Sequence, residues 1–280
     1  MSSKRQFDLL AVDLDGTLLD SNNRVPERNR DALHRAHQAG MRVVLCTGRS
    51  FIETKPVLDE IGLDLDAAVT AFGSIVTDIA TSRTIQRTAI AMNVACDLTA
   101  WFADRGYPVL WLLDRDEAGF DGFELPGPRR SSGYDRWLER TPCDIKRVTC
   151  LPHDSPEPVR ISIIDELQVL YGLSDDLRRE FDGLLRHNHL RAPSYEVSVI
   201  EAFAPQVSKW YGIEALCRLW EIDPRRTVAV GDDVNDIDML RRAGLSAAVA
   251  NALPEAKRAA DRQIASNDAC GVADLSEAPV

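Results

Sequence analysis

The feature that most constrains this chain is a short apolar run that ends in two acids. Phe7-Asp8-Leu9-Leu10-Ala11-Val12 reads as a buried strand and runs directly into Asp13-Leu14-Asp15-Gly16-Thr17-Leu18-Leu19. Side chains two apart on a strand share a face, so Asp13 and Asp15 project together. In an open α/β sheet, ligands bind beyond the carboxyl ends of the strands, which puts this pair at a cleft. Adjacent carboxylates repel, and a cation between them most easily offsets that cost. Asp-x-Asp-Gly equally suits a solvated turn after an edge strand, since Asp and Gly are common turn formers. A calcium loop fits poorly: the EF-hand needs its glycine at the sixth position and a Glu at the twelfth, where this chain has its glycine fourth and Arg24 twelfth.

The next segment repeats the strand-then-polar pattern. Pro26 opens a helical pattern through Ala36, with Gly40 as its stop, and Met41-Arg42-Val43-Val44-Leu45-Cys46 reads as a second strand ending in Thr47-Gly48-Arg49. Strand, helix and strand in so short a span form a right-handed βαβ unit. Thr47 therefore lies at a strand carboxyl end, beside Asp13 if the two strands are neighbours. A helix over Ser50 to Ile61 closes at Gly62, Ala67 to Ala71 is a third strand, and Phe72-Gly73-Ser74 turns into Ile75 to Asp78.

From about Thr84 the texture changes. Met92 to Arg105 is amphipathic, Val109 to Leu113 is strand-like, and Gly119 to Gly133 is rich in Gly, Pro and Arg. Strand patterns follow at Ile145 to Leu151 and Val159 to Ile164, then a helical stretch from Asp165 to Leu185 and an alternating strand from Tyr195 to Glu201. Without βαβ regularity, these elements suggest an inserted α+β module. The parallel-sheet texture then returns with a helix over Ser208 to Leu219, a buried strand Thr227 to Gly231, and Asp232-Asp233-Val234-Asn235-Asp236. Asp236 begins a helix through Arg242, Ser246 to Ala250 is a last strand, and Pro254 starts another helix. The expected fold is α/β: a doubly wound, mostly parallel Rossmann-like core sheet of residues 1–82 and 204–280, with an inserted α+β cap domain at 83–203.

Composition narrows the function. The length of 280 residues allows one large or two medium domains. No apolar run reaches the roughly 18 residues of a membrane span, and Met1 to Gln6 lacks a signal-peptide core, so a soluble, cytoplasmic protein is expected. Cys46, Cys96, Cys143, Cys150, Cys217 and Cys270 contain no Cys-x-x-Cys pair, so neither a zinc site nor a disulfide framework is indicated; most are expected to be small buried hydrophobes. A net charge of −11 argues against nucleic acid as a partner. It leaves room for a small anion held by a few local cations and a metal.

Asp13 with Asp15, Thr47, Lys209, and Asp232 with Asn235 and Asp236 thus fall at the same kind of place, the exit of a core strand or the start of the next helix. In this order they resemble the four motifs of the haloacid dehalogenase superfamily, whose phosphatases carry Asp-x-Asp-Gly-Thr, a Ser or Thr, a Lys, and Gly-Asp-x-x-Asn-Asp. Gly231 to Leu240, Val249-Ala250-Asn251-Ala252 and Ala259-Ala260-Asp261 are similar to its Cof-like branch, whose large α/β cap (type IIB) is inserted between the second and third motifs, as the segment here is.

The resemblance implies a magnesium-dependent phosphomonoesterase acting on a small phosphorylated metabolite, a sugar phosphate or similar. Asp13 is then the nucleophile that forms an aspartyl-phosphate, and Asp15 the acid and base. Thr47, the Gly48 N–H, Lys209 and Asn235 bind the phosphate or substrate, with Lys209 also neutralising charge. Mg2+ is held by Asp13, the backbone carbonyl of Asp15 and Asp232, with Asn235 and Asp236 orienting that shell. A phosphomutase and a non-catalytic phosphometabolite sensor remain open, as does a homo-oligomer. An ATP-dependent transferase is disfavoured by the lack of a Gly-x-x-x-x-Gly-Lys-Ser/Thr loop.

Three positions depart from the branch pattern: Phe72 stands where many relatives have Asn, Trp210-Tyr211 follows the lysine where Gly is common, and Asp233 replaces the usual glycine. Trp111, Arg129, Arg130, Trp137, Arg160, His187 and His189 are candidates to line a substrate pocket in the cap, with core packing or solvated surface as the competing reading for each. Hinges of a closing cap are expected near Thr81 to Thr84 and Glu201 to Ser208.

Overall fold

A computed structural model describes residues 6–63, 65–166, 169–192 and 196–276. Along the chain come β1 (Leu9–Val12), α1 (Glu27–Gln38), β2 (Arg42–Cys46), α2 (Phe51–Ile61), β3 (Ala67–Thr70), β4 (Ile75–Asp78) and β5 (Arg83–Arg87). Next are α3 (Met92–Ala103), β6 (Val109–Leu112), α4 (Arg115–Ala118), β7 (Gly122–Leu125), α5 (Ser132–Arg140), β8 (Ile145–Arg147), β9 (Arg160–Glu166), α6 (Tyr171–Glu180), β10 (Arg186–Ala192) and β11 (Val197–Phe203). The chain continues with α7 (Lys209–Leu219), β12 (Thr227–Gly231), α8 (Ile237–Arg242), β13 (Leu245–Val249), α9 (Pro254–Ala259) and β14 (Arg262–Ile264).

Two compact units result, Met1–Gln86 with Ser208–Val280, and Arg87–Val207. Their junctions lie four residues beyond the 82/83 and 203/204 positions read from composition. Regular structure explains the offset: β5 carries the first sheet to residue 87, and Glu201 to Phe203, expected near a hinge, belong to β11.

The first unit holds an eight-stranded sheet in the order β14-β13-β12-β1-β2-β3-β4-β5. β1 pairs in parallel with β12 on one side and β2 on the other, and β4 runs antiparallel to β3. Chain order thus reverses at β1, and the carboxyl ends of β1, β2 and β12 open at that switch point. Alternation along β1 fills both faces. Leu10 and Val12 pack with Leu33, Val57 and Leu58, and Leu9 and Ala11 with Trp210, Ile213 and Met239. Gly62 closes α2 at φ 63°, as the sequence suggests, and Ser50 and Glu53 form a capping box at its start.

The second unit is a six-stranded sheet, β10-β11-β9-β6-β7-β8. One face carries α3 and α6 through Leu98, Phe102 and Leu177 against Val109, Trp111, Ile161 and Ile163. The other carries α5, whose Tyr134, Trp137 and Leu138 pack on Leu110, Ile164, Val197 and Val199.

Several sequence expectations need correction here. The stretch from Asp165 to Leu185 is not one helix: β9 extends through Glu166 and α6 covers only Tyr171–Glu180, while Leu167 and Gln168 lie outside the described residues. The strand expected from Tyr195 to Glu201 is β11, shifted to Val197–Phe203, and Tyr195 itself lies outside the described residues. Ile145 to Leu151 shortens to β8. Only Cys46 and Cys217 of the six cysteines are buried; Cys96 and Cys150 are exposed. Among the described residues, no helix is long and apolar enough to cross a membrane.

Leu45, fully buried in β2 beside β1, is the residue whose truncation should show how much the switch-point packing contributes. Leu45→Ala is expected to destabilise the first unit by about 2–5 kcal/mol, measured as a lower urea midpoint for its unfolding transition.

Candidate active site

Three of the expected groups, Asp13, Lys209 and Asp236, meet at one ammonium. Asp13 follows β1 directly, its N–H bonded to the Val230 carbonyl of β12 at 3.0 Å. Lys209 opens α7 and is 1% exposed. Its Nζ donates to Asp13 Oδ1 at 2.5 Å and to Asp236 Oδ1 at 2.6 Å. The second Asp236 oxygen accepts the N–H groups of Asp232 and Asp233, at 2.9 and 3.1 Å, which pins the loop after β12. Thr17 Oγ1 donates to Asp232 Oδ1 at 2.9 Å and joins that loop to the one after β1.

Asp13, Asp232 and Asp236 each place a carboxylate oxygen within 4.8 Å of the others. Burial, partly countered by Lys209 and reinforced by the Asp236 and Asp232 charges, pushes the Asp13 carboxyl well above the ordinary range. Burial followed by the Asp236 charge raises Asp232 to about 6. Burial alone pulls Lys209 down, but the two carboxylates it bridges outweigh that and hold its pKa above the usual lysine range. Three carboxylates against one ammonium leave net negative charge in a poorly solvated place, the condition a cation relieves. The donors are all hard oxygens, which suits Mg2+. Both Asp236 oxygens already accept hydrogen bonds, so Asp13 and Asp232 are the better placed to bind it, with Asp236 orienting them.

Thr47 lies at the end of β2, with its N–H bonded to the Val69 carbonyl at 2.9 Å and its Oγ1 accepting the Arg49 N–H at 3.1 Å. Gly48 is required by its neighbour: a Cβ there would stand 2.5 Å from Cζ of Phe72. Asp15 points to a more open side, its carboxylate half exposed and held by the Arg49 guanidinium through Nε, at 2.9 Å, and Nη2. Asn235 Oδ1 is buried without a protein partner. Asp233 caps the short turn that carries Asn235 and Asp236.

Arg49 and Thr17 received no role from sequence reasoning. Both sit inside motifs already quoted, next to assigned residues, and that adjacency was the available signal. The seven cap candidates all lie in the second unit and each is engaged there. Trp111 Nε1 donates to Thr99 at 2.8 Å, His187 meets the Ser174 hydroxyl at 2.9 Å, and His189 meets the Tyr171 ring edge-on. Arg160 pairs with buried Glu201 at 2.9 Å, Arg130 bridges Glu124 and Asp135, Arg129 lies over Tyr107, and Trp137, on α5, packs against the Leu110, Ile164 and Val199 cluster.

A hydrolytic site built from strand-end carboxylates on a doubly wound sheet is the class these features define. Residues 10–275 match the haloacid dehalogenase-like hydrolase family, and the chain belongs to it, as a phosphatase of the Cof-like branch. It is 27% identical to the 5-amino-6-(5-phospho-D-ribitylamino)uracil phosphatase YwtE of Bacillus subtilis, over 94% of this chain and 95% of that one. A haloacid dehalogenase-like hydrolase from Bacteroides thetaiotaomicron superposes with a TM-score of 0.79 at 22% identity, over 97% and 98% of the two chains. A sugar phosphatase of subclass IIB superposes with a TM-score of 0.77 at 20% identity, over 96% and 98%.

The raised Asp232 pKa has a consequence for stability. Between its ordinary 3.8 and about 6 the folded, metal-free protein binds more protons than the unfolded chain, so its stability falls as pH rises through that window. Mg2+ is therefore expected to raise the melting temperature more at about pH 7.5, where the carboxylate is charged, than at about pH 5, read by thermal unfolding with and without the ion.

Proposed function

We propose that this protein is a magnesium-dependent phosphomonoesterase that hydrolyses a small phosphorylated metabolite through an aspartyl-phosphate on Asp13. The observation that carries the reading is the Asp13 carboxylate at the switch point, held 2.5 Å from buried Lys209 and grouped with Asp232 and Asp236. The named substrate of the YwtE relative is a phosphate ester on a sugar-alcohol chain, which supports a sugar-phosphate-like substrate. A cytoplasmic location is part of the same reading.

In the first step a carboxylate oxygen of Asp13 attacks phosphorus, and the bond from phosphorus to the ester oxygen breaks. Asp15 gives that leaving oxygen a proton. Arg49 must release Asp15 before it can turn to the ester oxygen, because both Asp15 oxygens are taken by the guanidinium. In the second step Asp15 takes a proton from water, the water oxygen attacks phosphorus, and the bond to Asp13 breaks, freeing phosphate. Thr47 Oγ1 and the Gly48 N–H hold the phosphoryl oxygens during both displacements, and Lys209 keeps Asp13 and the phosphoryl charge compensated. Asp13, the Asp15 carbonyl and Asp232 would hold Mg2+, which would add neutralisation of phosphoryl charge.

Phosphate release from a panel of sugar phosphates, nucleotides, pyridoxal phosphate and an aryl phosphate tests this. Wild type is expected to turn over with Mg2+, EDTA and Asp13→Asn each to abolish release, and Asp15→Ala to lower kcat by about 10²–10⁴ while phosphate binding survives. Tight binding without turnover in wild type would establish a sensor instead, and phosphate appearing only as an isomerised ester would establish a mutase.

A further inference from the structure

The loop after β13 carries Asn251, part of a stretch with no assigned role. Asn251 Nδ2 donates to the Gly16 carbonyl at 2.7 Å, while its Oδ1 accepts the Asn267 N–H at 3.0 Å, so both ends of the carboxamide are fixed. Two residues on, the Leu253 N–H donates to the Asp232 carbonyl at 2.8 Å. Thr17 Oγ1 closes the circuit on Asp232 Oδ1 at 2.9 Å. Three hydrogen bonds thus join the β1, β12 and β13 loops in a ring. Gly16 sits at φ 80°, and a Cβ there would meet the Asp232 carboxylate at 2.5 Å, so the two loops it joins are already at closest approach.

We propose that Asn251 is a positioning residue for the cation site, acting through Gly16 to set where the Asp15 carbonyl stands relative to the Asp232 carboxylate. The proposal rests on the metal-dependent reading above. The Gly16 carbonyl belongs to the Gly16–Thr17 peptide, and the preceding Asp15–Gly16 peptide carries the carbonyl assigned to the metal. With the Gly16 carbonyl held by a side chain at 2.7 Å, only the φ and ψ of Gly16 separate the fixed peptide plane from the one that carries the Asp15 carbonyl. Thr17 Oγ1 and the Leu253 N–H hold Asp232 by its carboxylate and its backbone, and both of those donors are aimed at Asp232 rather than at the Gly16 carbonyl. Asn251 supplies the remaining tie, and outer contacts of this kind commonly change metal affinity by about 10–100-fold.

Charge and geometry can be separated by substitution. Asn251→Asp keeps the acceptor for Asn267 and loses the donor to Gly16, while adding a negative charge near the cation. If charge alone mattered, that variant would bind Mg2+ more tightly. The proposal predicts the opposite: Mg2+ binding to substrate-free protein, measured by calorimetric titration, weakens about tenfold or more in both Asn251→Asp and Asn251→Ala. Melting temperatures of the metal-free variants are expected to stay within about 3 °C of wild type, which distinguishes repositioning from unfolding. Equal or tighter Mg2+ binding by Asn251→Asp, with wild type binding normally, overturns the positioning role and leaves the phosphatase reading intact. A wild type that takes up no Mg2+ overturns both. A larger fall in metal-free melting temperature for both variants assigns Asn251 to loop stability and also overturns the role.

Discussion

The centre of the first unit depends on one buried ammonium. Lys209 Nζ sits between Asp13 and Asp236, and the three groups come from the loop after β1, the start of α7 and the turn after β12. Desolvating an ion pair is expensive, and well-packed apolar side chains in its place are often as stable or more so. The triad is better understood as a device of placement. It draws two strand-end loops and a helix start to one point, and it keeps Asp13 and the neighbouring carboxylates from expelling each other. The long insertion between Thr47 and Lys209 must return the chain so that α7 begins here, and Gly73 makes room for it: a Cβ at Gly73 would overlap the Ser208 carbonyl.

The elements that build this point were those the sequence showed most clearly. β1, β2, β3 and β12 are covered on both faces, so each reads as a nearly continuous apolar run, bounded by Gly or by polar residues. The strands that were not anticipated are of another kind. β5, β10 and β14 lie at the ends of their sheets and carry Arg, Gln, His or Asn, which blunt an edge against further pairing but erase the strand pattern. β7 hides differently, because its first residue, Gly122, lies against the Trp111 backbone where a Cβ would not fit. Glycine there reads as a turn unless that neighbour is known.

The candidate site residues divide along a similar line. Asp13, Thr47 and Asp232 were legible because a strand end is a local property. The burial of Lys209 was not, since lysine alone is most often exposed and its two partners lie 196 and 27 residues away. Arg49 on Asp15 is a contact across 34 residues between two loops, with no periodicity to announce it. Seven cap candidates were chosen by residue type, and type cannot separate Arg160 paired with Glu201 inside a sheet from an arginine waiting for an anion.

Phe72 shows how local cost and tertiary gain are balanced at this site. Ala71 and Phe72 both adopt left-handed backbone, at φ 45° and 56°, where an L-residue other than Asn or Gly is strained by about 1–2 kcal/mol. The Phe72 ring is buried, which contributes about 1.5–3 kcal/mol and offsets the strain. What the turn gains is two backbone bonds, Ala71 N–H to the Arg49 carbonyl at 2.8 Å and Phe72 N–H to the Thr47 carbonyl at 3.0 Å. Those bonds bracket Gly48 while the ring fills the space its missing side chain leaves. An asparagine at this position would ease the backbone but leave that space unfilled. The aromatic residue therefore trades local comfort for a more firmly seated Thr47-Gly48-Arg49 loop, and strain accumulates where the proposed phosphoryl-binding loop has to stay still.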